Sequence, residues 1–190
     1  MAKASDRARD AAPLGKKLDE LYGLIEGIEI AMFTTRRADG HLVSRPMATQ
    51  TQAEGSDLWF VTDIESHKLE ELEADPHVNL AYYKDRTREW VSVSGTAAIS
   101  RDRRAIRELY RPDWKAWFGD EGGERDGGPD DPRLALILVD VHSASYLKVD
   151  KPQPVVLFEV VKGMVTGTPP NVGREGHLSG GEIARGGGKP

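Results

Sequence analysis

Residues 28–51 read IEIAMFTTRRADGHLVSRPMATQT. The opening part, IEIAMFTTR (28–36), is apolar and rich in the β-branched and aromatic residues that suit a pleated strand. Ala38-Asp39-Gly40 supplies a turn, and HLVSRPMATQT (41–51) resumes the strand pattern, so a β-hairpin is expected. Alternation along the second strand puts Val43, Arg45, Met47 and Thr49 on one face. An arginine among apolar neighbours calls for an anionic partner or a route to water. Pro46 cannot donate to a ladder, so the strand is an edge, is bulged, or opens to a ligand there. An edge strand with a surface arginine and a proline that blocks aggregation satisfies the same residues.

Ahead of the hairpin, Pro13 opens LGKKLDELYGLIEGI, whose Leu14, Leu18, Leu21, Ile25 and Ile28 form one helical stripe. After it, DLWFVTD (57–63) reads as a third strand and SHKLEELEA (66–74) as a short helix stopped near Asp75-Pro76. HVNLAYYK (77–84) and EWVSVSGTAAIS (89–100) are further strands, with Gly95 marking a bulge or a close backbone approach. DRRAIRELY (102–110) and PDWKAWF (112–118) predict two short helices, and GDEGGERDGGPDDP (119–132) a solvated loop. LALILVDVHSASYLKV (134–149) predicts a buried strand with an exposed continuation, and PVVLFEVVKGMV (154–165) another strand. The expected organisation is a flexible N-terminus (1–12), one domain (13–166), and a mobile Gly/Pro-rich tail (167–190). Six or seven strands joined mostly by short turns, with helices inserted irregularly, predict a mainly β, α+β, antiparallel barrel-like domain rather than a doubly wound sheet.

Composition narrows the function classes. The chain has 190 residues, 38% hydrophobic and 30% charged, with a net charge of -5. That balance supports a core and speaks against a basic nucleic-acid binder. Without cysteine there is no thiolate nucleophile and no Cys-based metal site. No apolar run approaches a membrane span, and the N-terminus lacks a secretory h-region, so a cytoplasmic protein without membrane or nucleic-acid partners is expected. The histidines, at 41, 67, 77, 142 and 177, match no metal-ligand spacing. No G-x-S-x-G elbow, Walker loop or Rossmann fingerprint occurs, and Arg185-Gly186-Gly187 is a single RGG copy.

Three further stretches carry candidate chemistry. Ser66 stands where an N-cap belongs, and His67 and Lys68 follow in the first helical turn. Basic residues there oppose the helix dipole unless an anion docks on the free N–H groups, a phosphate being the usual occupant. Lys68 extended into solvent beside Glu65 and Glu71 is the alternative. Trp59-Phe60-Val61-Thr62 suits either the wall of a flat apolar slot or an ordinary core strand. Trp114, Trp117 and Phe118 share a helical face that can pack on the barrel, cover a ring ligand, or meet a second subunit.

AMFTTRRADGHLVSRPMATQ, LWFVTDIESHKLEELEADPHVNLAYY, WVSVSGTAAISRDRRAIRELY and WKAWF, in that order, resemble the pyridoxamine-phosphate-oxidase-like flavoproteins, in particular the bacterial general-stress-protein branch. The resemblance covers about residues 15–165. It implies an FMN-binding split barrel, a homodimer, and one FMN in each of two interfacial clefts. It also implies that Arg45 contacts the FMN phosphate or ribityl chain while Met47 and Gln50 lie along the flavin. Val61 and Thr62 would meet the isoalloxazine edge, Ser66, His67 and Lys68 would form the phosphate turn, and Trp114 and Trp117 would approach from the partner subunit. The Trp- and Arg-containing C-terminal segment of true pyridoxamine phosphate oxidases is not recognisable in 167–190, which argues against vitamin B6 as substrate. The expected activity is a flavin-dependent oxidoreduction of a small molecule, with no proton donor named as catalytic. The alternatives are a flavin-sequestering stress protein and a barrel for another phosphorylated cofactor such as F420.

Overall fold

The computed structural model describes residues 12–50, 56–168 and 173–186. Helix α1 (Leu14–Ile28) turns the expected stripe inward, burying Leu18, Leu21, Leu24 and Ile25. Strands β1 (Ile30–Arg36) and β2 (Leu42–Ala48) form the hairpin, antiparallel, with Phe33 opposite Arg45 and Thr35 opposite Val43. There follow β3 (Leu58–Asp63), α2 (His67–Ala74), β4 (His77–Lys84) and β5 (Glu89–Ser100). Next come α3 (Arg103–Leu109), a 3-10 turn (Pro112–Trp114), α4 (Lys115–Phe118) and β6 (Leu134–Lys148). Helix α5 (Gln153–Thr166), strand β7 (Arg174–Ser179) and helix α6 (Gly180–Gly186) complete the described chain. The seven strands run in the order β2-β1-β4-β5-β6-β3, with β7 paired to β6. Lying at one end of that order, β2 tolerates Pro46 because no ladder donor is needed on its open side.

The chain packs as two compact units, each assembled from separated stretches. One is residues 29–80 with 94–141; the other is the described parts of 1–28, 81–93 and 142–190. In the hairpin unit, Phe33 and Phe60 meet edge to face at 5.1 Å. A second cluster gathers Trp59, Ile106, Trp114, Leu134 and Leu136. Gly95 makes the close approach its place in the strand suggested: a Cβ there would lie 2.2 Å from the Asp140 carbonyl oxygen.

The 119–132 stretch is exposed over 119–124, as expected of a solvated loop, and turns inward at Gly127, Gly128 and Asp131. Arg133, 2% exposed, donates to the Asp131 carboxylate (2.7 Å), to Glu121 (2.9 Å) and to the carbonyls of Phe118, Gly119 and Arg125. The loop therefore wraps a buried cation while much of it stays in water, because its carbonyls are the partners that a desolvated guanidinium requires.

In the other unit, two expectations are corrected. Residues 154–165 are not a strand but belong to α5, whose ladder runs from Val156 N to the Pro152 carbonyl (3.1 Å) through Gly167 N to the Gly163 carbonyl (2.9 Å). A run of valines favours a strand when it packs on a pleated, half-buried surface; here Leu157, Phe158, Val161, Met164 and Val165 are exposed on a helix. The segment read as a mobile tail contains β7 and α6. β7 pairs antiparallel with the second half of β6, Leu178 opposite Ala144 and Gly176 opposite Tyr146. Gly176 is what lets the strand lie there, since a Cβ would stand 2.3 Å from the Tyr146 ring. Leu178 and Ile183, nearly the only large apolar residues of this stretch, are both buried. Arg174 (2.6 Å) and the Tyr146 hydroxyl (3.0 Å) both donate to Glu20, a further tie within this unit. Residues 1–11, 169–172 and 187–190, the remainder of the expected flexible ends, lie outside the described residues.

Candidate functional site

Alternation along β2 turns Val43, Arg45 and Met47 inward and Ser44 and Pro46 outward. Across the ladder, Thr35 of β1 is buried at 1% exposure. Helix α2 packs Leu69 and Leu72 into the core, which aims Glu71 at the hairpin. The three polar side chains meet. Arg45 Nη1 donates to Thr35 Oγ1 (2.8 Å), Arg45 Nη2 to Glu71 Oε2 (2.8 Å), and Thr35 Oγ1 donates to the same carboxylate oxygen (2.5 Å). Burial opposes ionisation of Glu71, but the Thr35 hydroxyl and Arg45 guanidinium outweigh it and hold its carboxyl below the ordinary glutamate value. A guanidinium carries five N–H groups; these bonds fix its plane and use two of them.

Lys68 reaches the same neighbourhood from the first turn of α2, donating from Nζ to Thr62 Oγ1 at the end of β3 (2.8 Å). Burial lowers its pKa below the ordinary lysine value, and the positive charge of Arg45 lowers it further, against the pull of Asp63 and Glu71. Two half-buried cations thus raise each other's cost, and an anion held between them reverses the sign of that interaction. The turn presenting them is closed by Ser66 N to the Asp63 carbonyl (3.1 Å) and Glu65 N to Asp63 Oδ1 (2.8 Å). Ser66 occupies the N-cap position with extended φ and ψ, yet its hydroxyl makes no capping bond. On the far side of the turn, Glu65 is gripped by both terminal nitrogens of Arg125 (2.9 and 3.1 Å).

Beside Arg45, a cleft of about 650 Å³ opens between the hairpin tip and α2, lined by Arg37, Asp39, Val43, His67, Glu70 and Glu71 among others. His67 is 93% exposed and stands 3.8 Å from Glu70. It belongs to this cleft and not to the Arg45–Thr35–Glu71 cluster.

The remaining expected residues divide. The Gln50 carboxamide accepts from Trp114 Nε1 (3.1 Å) and donates to the Ala48 carbonyl (3.2 Å). Trp114 is 1% exposed and stacks edge to face on Trp59 (6.0 Å) and Tyr110 (5.5 Å), with Val61 packed against the same cluster. Met47 is buried on the inward face of β2. Trp117 is 82% exposed. Arg45, Thr62, Ser66 and Lys68 are therefore brought to one place, His67 to its margin, and Gln50, Val61 and Trp114 to an adjoining aromatic cluster. Sequence reasoning missed Thr35, Glu71 and Arg37. The inward register of Thr35 opposite Val43 was the one available signal. Among the described residues, no group of three or more histidine, aspartate or glutamate side chains is placed to hold a metal ion, and no helix is long and apolar enough to cross a membrane.

An edge hairpin, a strand-to-helix turn and crossed strand order define an antiparallel split barrel, and structural likeness agrees. A protein assigned as general stress protein 26 from Jannaschia sp. CCS1 shares the fold at a TM-score of 0.64, with 24% identity over 88% of this chain and 99% of that one. A general stress FMN/FAD binding protein from Xanthomonas citri superposes at 0.55, with 26% identity over 69% of this chain and 88% of that one. Residues 16–171 match the family described as pyridoxamine 5'-phosphate oxidase like. Protein bli-3 of Neurospora crassa is 40% identical over 174 residues, covering 90% of this chain and 83% of that protein. The chain belongs to the pyridoxamine 5'-phosphate oxidase-like family.

Proposed function

We propose that this protein binds FMN and works as a flavin-dependent oxidoreductase on a small molecule, as a homodimer in the cytoplasm. The observation that carries the proposal is a pair of half-buried cations at α2: Lys68, tied from the first turn to Thr62, and Arg45, held against the helix by Glu71 and near enough to Lys68 to disfavour its charge. A dianionic phosphate matches two cations and the N-terminal N–H groups of a helix. Thr35 and Glu71 hold the Arg45 plane and take up two of its five N–H groups. Met47, on the same strand, and Gln50, just beyond its end, are the residues we assign to the flavin side of the site. The relative from Xanthomonas citri, which carries FMN/FAD in its description, supports a flavin as the ligand class. Bound flavin supplies the electron transfer; the chain supplies position and electrostatics.

Dimerisation follows from the outward face of the hairpin, where Ile30 (45% exposed), Met32 (43%) and Leu42 (67%) stand unpacked. The second reading is a flavin holder without turnover. It is favoured by the commitment of the Gln50 carboxamide, which accepts from Trp114 and donates to the Ala48 carbonyl, to this chain's own groups.

Titration of the purified protein with FMN, followed by flavin absorbance, tests binding: saturable uptake is expected, and none contradicts the proposal. Reduction of the bound flavin by a nicotinamide cofactor, then reoxidation by an added quinone, separates enzyme from holder. Failure of every donor to reduce a tightly held flavin favours the holder.

A further inference from the structure

We propose that the outward face of helix α5 pairs with the same face of a second copy of this chain, the two helices running antiparallel about a twofold axis at Val161. The pairing is independent of the flavin reading and uses a surface other than the outward face of the hairpin.

Helix α5 turns its apolar side away from its own unit. Among its described side chains none is buried, and the half-buried positions, Val156, Glu159 and Gly163, fall three and four residues apart on one narrow strip. Leu157, Phe158, Val161, Met164 and Val165, between 51% and 83% exposed, share the opposite side, within a sector of about 120°. A helix of a globular protein ordinarily presents such a stripe to a core. At 14 residues, α5 is also too short to be stable on its own in water, so the stripe calls for a cover. The stretches outside the described residues, MAKASDRARDA (1–11), TQAEG (51–55), PPNV (169–172) and GGKP (187–190), contain no apolar run to supply it.

The stripe is its own complement. Val161 stands at its centre, Phe158 and Met164 three residues to either side, and Leu157 and Val165 four. Reversing the helix therefore lays the stripe on itself, with Val161 on its mate, Phe158 opposite Met164 and Leu157 opposite Val165. That reciprocity is what a twofold contact between identical chains requires. Glu159 and Lys162, the charged residues of α5, fall outside the stripe, so the pairing buries no charge. The exposed fractions of the five side chains leave on the order of 600 Å² per copy, approaching the roughly 800 Å² that each partner buries in a stable interface.

The chain has no cysteine, so introduced thiols report this contact without background. Val161→Cys, Phe158→Cys and Val155→Cys, the last 42% exposed on α5 but off the stripe, are oxidised with copper phenanthroline in the full-length protein and resolved by non-reducing electrophoresis. Val161→Cys is expected to form a disulfide-linked dimer about tenfold faster than either other single variant, and Phe158→Cys with Met164→Cys in one chain to match it. In sedimentation equilibrium Val161→Glu is expected to halve the mass of the wild-type assembly, and circular dichroism establishes that it folds. Val161→Cys linking no faster than Val155→Cys overturns the pairing, whether or not Val161→Glu folds. Equal rates at 158 and 161 overturn the twofold at Val161, and an unchanged mass in folded Val161→Glu overturns the contact. Flotation of the wild-type chain with phosphatidylcholine vesicles, lost in Val161→Glu and unaccompanied by the cross-link, assigns the face to lipid and overturns the proposal.

Discussion

At the scale of single residues, Arg45 shows how a family-type motif acquires physical meaning. Its pairing with Glu71 and Thr35 orients the guanidinium without exhausting it. Removing Arg45 or Lys68 as alanine should weaken FMN binding by about 10- to 150-fold each, corresponding to about 1.5–3 kcal/mol for hydrogen bonds to charged groups. Equilibrium titration by flavin fluorescence measures this, with circular dichroism to establish that both variants fold. Unchanged affinity in both would count against the phosphate site. Lys68 also sets a pH dependence. Its folded pKa is lowered, so it loses its proton at a lower pH than an ordinary lysine. Neutral Lys68 no longer attracts phosphate, and FMN affinity should fall as pH rises, before the ordinary lysine value of 10.5 is reached. A binding profile flat up to that point contradicts the role of Lys68. Arg45 and Lys68 were legible in the sequence because strand alternation and helix-dipole physics act locally. Glu71 and Thr35 were not, since their significance arises only when α2 folds back against the hairpin.

At the scale of elements, legibility followed local periodicity. The α1 stripe, the β1–β2 hairpin and the close approach of β5 to β6 at Gly95 each carry a signal within a few residues. Gly95→Ala would place a Cβ 2.2 Å from the Asp140 backbone oxygen, an atom that cannot swing aside. A loss of about 1–3 kcal/mol of stability is expected, as for overpacked cores. Chemical denaturation measures it, and a wild-type midpoint would mean that β5 and β6 are not so closely apposed. Helix α5 misled because PVVLFEVVKGMV is apolar at successive positions and has neither a period of two nor a clean period of 3.6. β7 and α6 were hidden because glycines at 176, 180, 181 and 186 and the charged residues around them leave only Leu178 and Ile183 to carry an apolar pattern. Gly176 reads as a flexible-tail residue, yet it is there to clear Tyr146.

At the scale of the whole molecule, the buried Arg133–Asp131 pair gives the 119–131 segment an acid-sensitive lock. The Asp131 carboxyl is held at about 2, below its ordinary 3.8, chiefly by the Arg133 hydrogen bond. Because the folded state binds fewer protons, the stability contributed by this pair is full above about pH 4 and is lost as pH falls toward 2. Arg133→Met strands a buried carboxylate and should lower Tm by roughly 10 °C at pH 7, with a smaller deficit near pH 2. Thermal melts across that range test it, and an equal deficit at both pH values would show that the pair's charge is not what matters.

The phosphate grip is the claim on which the functional account depends, and it is tested most directly by comparing FMN with riboflavin, which has the same ring and ribityl chain and lacks only the phosphate. FMN should bind at least about 100-fold more tightly than riboflavin, and Lys68→Ala should shrink that ratio by about tenfold or more while leaving riboflavin affinity unchanged. Equal affinity for the two flavins in the wild-type protein would contradict the site built from Arg45, Lys68 and the first turn of α2.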